Sequence, residues 1–195
     1  MGPELEGLLD ELYRSGREHD AGKEDRLQRL RNLEPETARL LAVLARGLKA
    51  KQLLELGTSN GYSSIWLADA ARANAGALTS VEIEPARLAE ADANLRRAGL
   101  AAFAELRLED ARSALAKSAD AFWDLIFLDA ERPEYVSYWP DLVRSLRARG
   151  MLVVDNVVSH ADEVAQFREL VAGDASVMDV LVPIGAGALV IIKQP

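Results

Sequence analysis

A doubly wound α/β fold, in which a mostly parallel sheet carries helices on both faces, is what this chain of 195 residues predicts. Five short apolar segments, at 52–56, 77–83, 104–108, 123–129 and 151–155, alternate with stretches of helical periodicity. Strands separated in this way pair in parallel through right-handed crossovers. Two further apolar runs, VMDVLVPIG and ALVIIK, face each other across Gly185-Ala186-Gly187 and predict a closing antiparallel hairpin.

Taken in order, residues 3 to 48 are helical in character. Leu5, Leu8, Leu9 and Leu12 recur at helical spacing, and so do Leu40, Leu41, Leu44 and Leu48 after Glu34-Pro35, a helix start. Between them, Ser15 to Asp25 is polar, holds two glycines and reads as a turn or a mobile linker. Residues 1–48 thus form an N-terminal helical cap, and 49–195 the α/β core, of a single domain. QLLEL leads to a glycine loop and the helix YSSIWLADAARA; ALTSVEI leads to Pro85 and a helix with Leu88, Ala91 and Leu95 on one face, stopped by Gly99. AELRL precedes a short helix, and WDLIFLD precedes a helix around Tyr135 to Leu146 closed by Gly150. After MLVVD the last helix opens on Ser159-His160-Ala161-Asp162, a capping-box pattern.

Composition excludes several function classes. With 49% apolar and 28% charged residues the chain can bury one substantial core, while two domains would be a squeeze. Lys and Arg number 23 against 31 Asp and Glu, giving a net charge of −8, and no basic run exceeds Arg96-Arg97. That balance argues against nucleic acid or an anionic membrane as the main partner. The absence of cysteine removes disulfides, a thiolate nucleophile and Cys-ligated zinc. The start is acidic, unlike a signal peptide, and no apolar run approaches the roughly 20 residues that span a bilayer. A soluble cytoplasmic protein is the expectation.

The chemistry gathers at strand ends. LLELGTSNGYSS is a strand, a glycine turn and a helix start, where the backbone can approach a ligand closely. Its Gly57-x-x-x-Gly61 spacing does not meet the dinucleotide fingerprint, which disfavours a nicotinamide dehydrogenase. Glu55 lies just before that turn, and Glu82 ends the next strand, where an acid is placed to take both hydroxyls of a ribose. Glu84 competes for this role but precedes Pro85 and suits the helix start. Asp129 and Asp155 end the fourth and fifth segments. If those strands are neighbours, the two carboxylates emerge side by side, and with Asn156 they make three oxygen donors suited to a hard divalent cation, Mg2+ first, then Ca2+ or Mn2+. The competing interpretation has Asp129 capping a helix and Asp155-Asn156 shaping a turn. His160 and His19 read as rim or surface residues. Ser63 and Ser64 lack a nearby His or acid at hydrolase spacing.

In order along the chain, LLELGTSNGYSSIWLA, LTSVEIEP, LIFLDAERPEY, VVDNV and LVPIGAGALVIIK resemble the motifs of the cation-dependent O-methyltransferase family that includes catechol and caffeoyl-CoA O-methyltransferases. The resemblance covers about Pro35 to Lys193 and implies a Rossmann-like methyltransferase sheet with S-adenosylmethionine as cofactor. It implies that Glu55, Gly57 and Ser63 line the methionine end, that Glu82 holds the ribose, and that Asp110-Ala111 meets the adenine. It also implies that Asp129, Asp155 and Asn156 hold the divalent metal, with Asp129 serving cofactor and catalysis as well. The implied reaction is in-line methyl transfer to a hydroxyl of a small vicinal diol of catechol type, a hydroxylated aromatic. Tyr135 and Trp139 are placed as borders of the acceptor pocket, and a homodimer is left open.

Three positions depart from the family pattern. Arg132 stands where the family carries a lysine proposed as general base, and a guanidinium does not give up its proton at ordinary pH. Arg132 is therefore expected to steady the oxyanion. Ala186 replaces an acid in PIGAG, and Glu109 replaces a glycine before Asp110. Two alternatives stay open at this level: a metal-independent methyltransferase on another small acceptor, and a non-catalytic protein that binds S-adenosylmethionine.

Overall fold

The computed structural model describes residues 2–24 and 29–195. Two helices, α1 (Pro3–Ala21) and α2 (Pro35–Gly47), precede a regular alternation. It runs β1 (Gln52–Leu56), α3 (Tyr62–Ala73), β2 (Ala77–Glu82), α4 (Pro85–Arg97), β3 (Ala104–Leu108), α5 (Ala111–Lys117) and β4 (Trp123–Leu128). There follow α6 (Tyr135–Ser145), β5 (Leu146–Val154), α7 (Ala161–Ala172), β6 (Val177–Val182) and β7 (Ala188–Lys193). The strands form one sheet in the order β3-β2-β1-β4-β5-β7-β6, parallel from β3 to β5, with β7 antiparallel to both β5 and β6. The doubly wound sheet and its closing hairpin are as the sequence predicts. Strand order reverses between β1 and β4, which is where open α/β sheets bind their ligands.

Alternation along each strand sorts side chains between two cores. Leu53, Leu125, Phe127 and Val153 face one layer with Ile65 and Leu67 of α3, Leu41 of α2, and Leu9 and Leu12 of α1. Leu54, Leu56, Ile126, Leu128, Leu152 and Val154 face the other, against Leu115, Leu142, Val164 and Phe167 of α5 to α7. The N-terminal helices therefore share a core with the sheet. Among the described residues, no helix is long and apolar enough to cross a membrane.

Three local expectations give way. The turn foreseen at Ser15 to Asp25 is helix as far as Ala21, and Asp25 itself lies outside the described residues. Gly16 is there for packing, not as a break: a Cβ would sit 2.4 Å from the Asn32 amide nitrogen. No capping box opens α7, because its N-cap residue is His160, without a side-chain cap, and the Ser159 hydroxyl lies 2.8 Å from His160 Nδ1. Gly150 does not close α6. That helix ends at Ser145 and β5 starts at once, with a register shift against β4 that loops out 147–150 before pairing resumes at Met151.

One buried charge fastens the helical layer. Asp69 of α3 is 1% exposed and accepts hydrogen bonds from Arg46 of α2 and Arg72 of its own helix, both partly solvated. Taking away one side of such a pair strands the other charge in the interior. Arg46→Ala combined with Arg72→Ala is expected to lower the unfolding free energy by about 3 kcal/mol or more. Adding Asp69→Ala should then recover at least half of that loss in urea denaturation, since the stranded charge is gone.

Candidate active site

The paired ladder runs one residue beyond each central strand. Leu128 sits opposite Val154, the Asp155 N–H donates to the Leu128 carbonyl at 3.2 Å, and the Asp129 N–H donates to the Leu56 carbonyl at 3.0 Å. Asp129 and Asp155 therefore leave the sheet side by side, as neighbouring strands require. Asn156 follows in left-handed backbone, φ 64°, a conformation that asparagine adopts more readily than most residues. Its Nδ2 donates to Asp155 Oδ2 at 2.7 Å and to Asp129 Oδ1 at 3.3 Å.

Desolvation outweighs the nearby cations at this pair. Burial raises the Asp155 carboxyl well above the usual range, and the Asp129 charge raises it further. Burial raises Asp129 too, against the pull of Arg31 and Arg132. Asp155 Oδ1 is buried with no hydrogen-bond partner among the described residues, a costly condition for a carboxylate. Two carboxylates, one of them with an unpartnered oxygen, stand beside an amide whose Nδ2 faces them; turned over, that amide would present its oxygen, and the three residues would then suit a hard divalent cation. Among the described residues no group of three or more His, Cys, Asp or Glu is arranged to hold a metal. A cation here would thus depend on Asn156 as the third protein donor.

Asp129 and Asn156 line one side of a cleft of about 780 Å³ that runs along the carboxyl ends of the strands to Glu82 and Asp110, whereas Asp155 is buried and is not part of the lining. Gly57 forms part of the wall at φ 106°, and a Cβ there would lie 2.2 Å from the Asp129 carbonyl oxygen. Glycine is needed at this turn for the approach of β1's loop to β4's. The turn is pinned to β2 by N–H groups of Gly57 and Thr58 on the Val81 carbonyl, and by the Ser59 N–H on Glu82 Oε2 at 2.9 Å. The other Glu82 oxygen accepts from the N–H groups of Ile83 and Glu84, which fixes the carboxylate at the cleft wall. Glu84 is the N-cap residue of α4 ahead of Pro85, and it also borders the cleft.

Asp110 and Ala111 line the far end, where Asp110 caps α5 by accepting the Ser113 N–H at 3.0 Å. Arg132 sits in a single 3-10 turn, Arg132–Glu134, with its side chain 5% exposed and Nε donating to Glu163 of α7 at 2.7 Å. His160 and the exposed His19 both border the cleft. Tyr135 and Trp139 do not. Tyr135 is wholly buried with its hydroxyl donating to the Ala130 carbonyl, Trp139 donates to Asp174, and both rings pack edge-on against Phe167. The α6 aromatic that does line the cleft is Tyr138, under the Arg112 guanidinium at 5.5 Å. Helical spacing in YVSYW would have offered it. Arg31 also lines the cleft, but no pattern in the sequence marks it.

Glu55 and Ser63 lie behind this wall. Alternation puts Glu55 on the α3 side of β1, fully buried, where it accepts hydrogen bonds from the hydroxyls of Ser63, Ser64 and Ser80. Ser80 in turn lies 2.6 Å from the Thr58 hydroxyl, linking the carboxyl to the glycine turn. Burial outweighs these three donors and pushes Glu55 up to about 7. An acid held above its unfolded value stabilises the fold fully below about pH 4.5, and that contribution is lost as pH rises through about 7. The loss amounts to roughly 3 kcal/mol. Glu55→Gln should therefore flatten the decline in unfolding free energy between pH 4.5 and 7.5 by about that amount, read from denaturation midpoints across the range.

Residues 8–194 match the O-methyltransferase family across nearly the whole chain. A catechol O-methyltransferase of Niastella koreensis is 36% identical over 130 residues, 65% of this chain and 58% of that protein. A catechol O-methyltransferase of Mycobacterium tuberculosis is 35% identical over 123 residues, 63% of this chain and 56% of that protein. The chain thus spans little more than half the length of these two relatives. Among solved structures, the O-methyltransferase TomG of Streptomyces achromogenes, involved in tomaymycin synthesis and in complex with SAM, superposes with a TM-score of 0.80. It is 28% identical, over 96% of this chain and 90% of that one. With the strand order, the cleft and a match over residues 8–194, the chain belongs to the O-methyltransferase family.

Proposed function

We propose that this protein transfers a methyl group from S-adenosylmethionine to a hydroxyl of a small catechol-type acceptor, assisted by a divalent cation. The observation that carries this reading is the adjacent Asp129 and Asp155 with Asn156, one carboxylate oxygen of Asp155 lacking a partner among the described residues, at one side of a cleft of about 780 Å³ that reaches Glu82 and Asp110. The catechol O-methyltransferases of Niastella koreensis and Mycobacterium tuberculosis support the acceptor class. The SAM bound to TomG supports the methyl donor.

In this reading Glu82, already fixed by three backbone N–H groups, offers its remaining lone pairs to the ribose hydroxyls. Asp110, Ala111 and Ile83 meet the adenine, and the backbone of the Gly57 turn admits the methionine end. Glu55 and Ser63 act from behind, stiffening that turn through the hydroxyl chain to Thr58. Asp129, Asp155 and Asn156 would hold Mg2+, Ca2+ or Mn2+, which when bound would favour the ionised acceptor hydroxyl. Arg132, kept in place by Glu163 and unable to take a proton, steadies negative charge on the acceptor. Holding donor and acceptor in one cleft supplies proximity, which accounts for much of the rate in two-substrate transfers.

Methylation of catechol in the presence of Mg2+ is the expected outcome, with a loss of about a hundredfold or more on chelation and in Asp155→Ala. Radiolabelled methyl transfer measures both. Turnover that is indifferent to chelator and to Asp155→Ala would remove the cation from the mechanism.

A further inference from the structure

The chain between α1 and α2 carries a cation into the cleft and is built to hold it there. Residues 29–31 are fastened from three directions. The N–H groups of Leu30 and Arg31 donate to the two carboxylate oxygens of Asp20, at 2.7 and 2.8 Å. The Leu30 carbonyl accepts from the Ser59 hydroxyl of the glycine turn at 3.0 Å, and the Arg29 carbonyl accepts from Arg87 of α4 at 3.1 Å. Arg31 adopts left-handed backbone, φ 51°, and its side chain lines the cleft.

The surroundings of Arg31 separate it from the other basic residue at this end. Arg132 is tied to Glu163, whereas the Arg31 side chain has no hydrogen bond or ion pair with any described residue. It is nevertheless the strongest cationic influence on Asp129. Glu82, Glu84, Glu109 and Asp110 line the opposite end of the cleft, and Asp129, Glu131 and Glu134 line it as well, so a carboxylate entering beside Asp129 would need a guanidinium to receive it. A guanidinium offers a planar fork of donors that matches a carboxylate with two parallel hydrogen bonds.

We propose that Arg31 is a specificity-determining residue that receives a carboxylate borne by the acceptor, so that the preferred substrate is an anionic vicinal diol, such as a ring-carboxylated catechol. The proposal rests on the transferase reading above and narrows its acceptor class. The amino-acid carboxylate of the methyl donor has the same chemistry and is the other source such a fork could serve. Arg31 lines the same cleft as Asp129 and its charge bears on Asp129, which this reading assigns to the acceptor end.

The test uses 3,4-dihydroxybenzoate and catechol as acceptors and S-adenosylhomocysteine and 5′-methylthioadenosine as donor-site ligands, the second of each pair lacking the carboxylate. Calorimetric binding of the acceptors to the protein with Mg2+ and S-adenosylhomocysteine is measured alongside kcat/KM. Wild type is expected to favour dihydroxybenzoate over catechol by about tenfold or more in both measurements. Arg31→Met should lower that ratio about tenfold, mainly through KM, and Arg31→Lys, which keeps the charge without the fork, should retain part of it. A ratio unchanged in Arg31→Met would overturn the proposal. So would a loss confined to S-adenosylhomocysteine against 5′-methylthioadenosine, which would assign the fork to the donor. Carboxylate-selective binding that depends on Arg31, without turnover of either acceptor, would uphold the site and sink the transferase reading instead.

Discussion

The rest of the site depends on a backbone constraint, the continuation of the parallel ladder one residue past β4 and β5. Because Asp129 bonds back to Leu56 and Asp155 back to Leu128, the two carboxylates are delivered at one level by main-chain hydrogen bonds. Side-chain alternation has a period of two, so a slip of one residue would turn either acid to the wrong face. The loops that follow are laced together by backbone as well. Gly57 packs against the Asp129 carbonyl, and the N–H groups of Val157 and Val158 donate to the carbonyls of Gly187 and Ala186. A Cβ on Gly187 would meet Val158 at 2.3 Å. Main-chain hydrogen bonds fix where β4 and β5 end, while the glycine turn also leans on the Glu82 carboxylate and the Glu55–Ser80–Thr58 side chains.

Two buried carboxyls and one half-buried carboxyl near this edge, Glu55, Asp155 and Asp129, show how burial alone does not define a functional group. Glu55 is fully buried, yet both its oxygens are occupied by serine hydroxyls, and it faces helix α3 and not the cleft. Asp129 and Asp155 share one amide between them, and Asp155 Oδ1 has no partner among the described residues. All three are raised by desolvation. The difference lies in satisfaction: the first belongs to a closed network, while Asp155 of the other two keeps one oxygen outside any hydrogen bond among the described residues.

Much of the sheet was legible because its signals are local. Period-two alternation, short apolar runs and proline or glycine punctuation marked every strand from β1 to β7, while the adjacency of β4 and β5, left as a condition by the sequence, comes from the sheet itself. What escaped depends on contacts between distant segments. Gly16 and Ser15 looked like a turn because a glycine in a polar stretch cannot announce that Asn32, sixteen residues on, packs against it. Trp139 and Tyr135 looked like pocket residues because they follow Asp129, whereas the pitch of α6 turns them into the core and brings Tyr138 to the cleft. Arg31 had no signature at all, since its place comes from Asp20, Ser59 and Arg87 acting on the backbone around it.

The departures from the family pattern fall where the fold can absorb them. Ala186 contributes its carbonyl, which accepts the N–H groups of Val158 and Ser159, so the turn survives loss of an acidic side chain there. Glu109 accepts from Ser113 and Lys117 of α5 and so stabilises its own helix start in place of a glycine. Arg132 differs in kind, because it lines the cleft with Asp129 and cannot take a proton. Its Nε is committed to Glu163, and its charge bears on both Asp129 and Asp155. A lysine on a flexible stem could swing between protonation states, whereas a guanidinium fixed by an ion pair supplies a constant positive charge in a constant direction. In the proposed reaction that moves the burden of ionising the acceptor onto the carboxylate pair and whatever cation it holds, with Arg132 confined to steadying the charge that results.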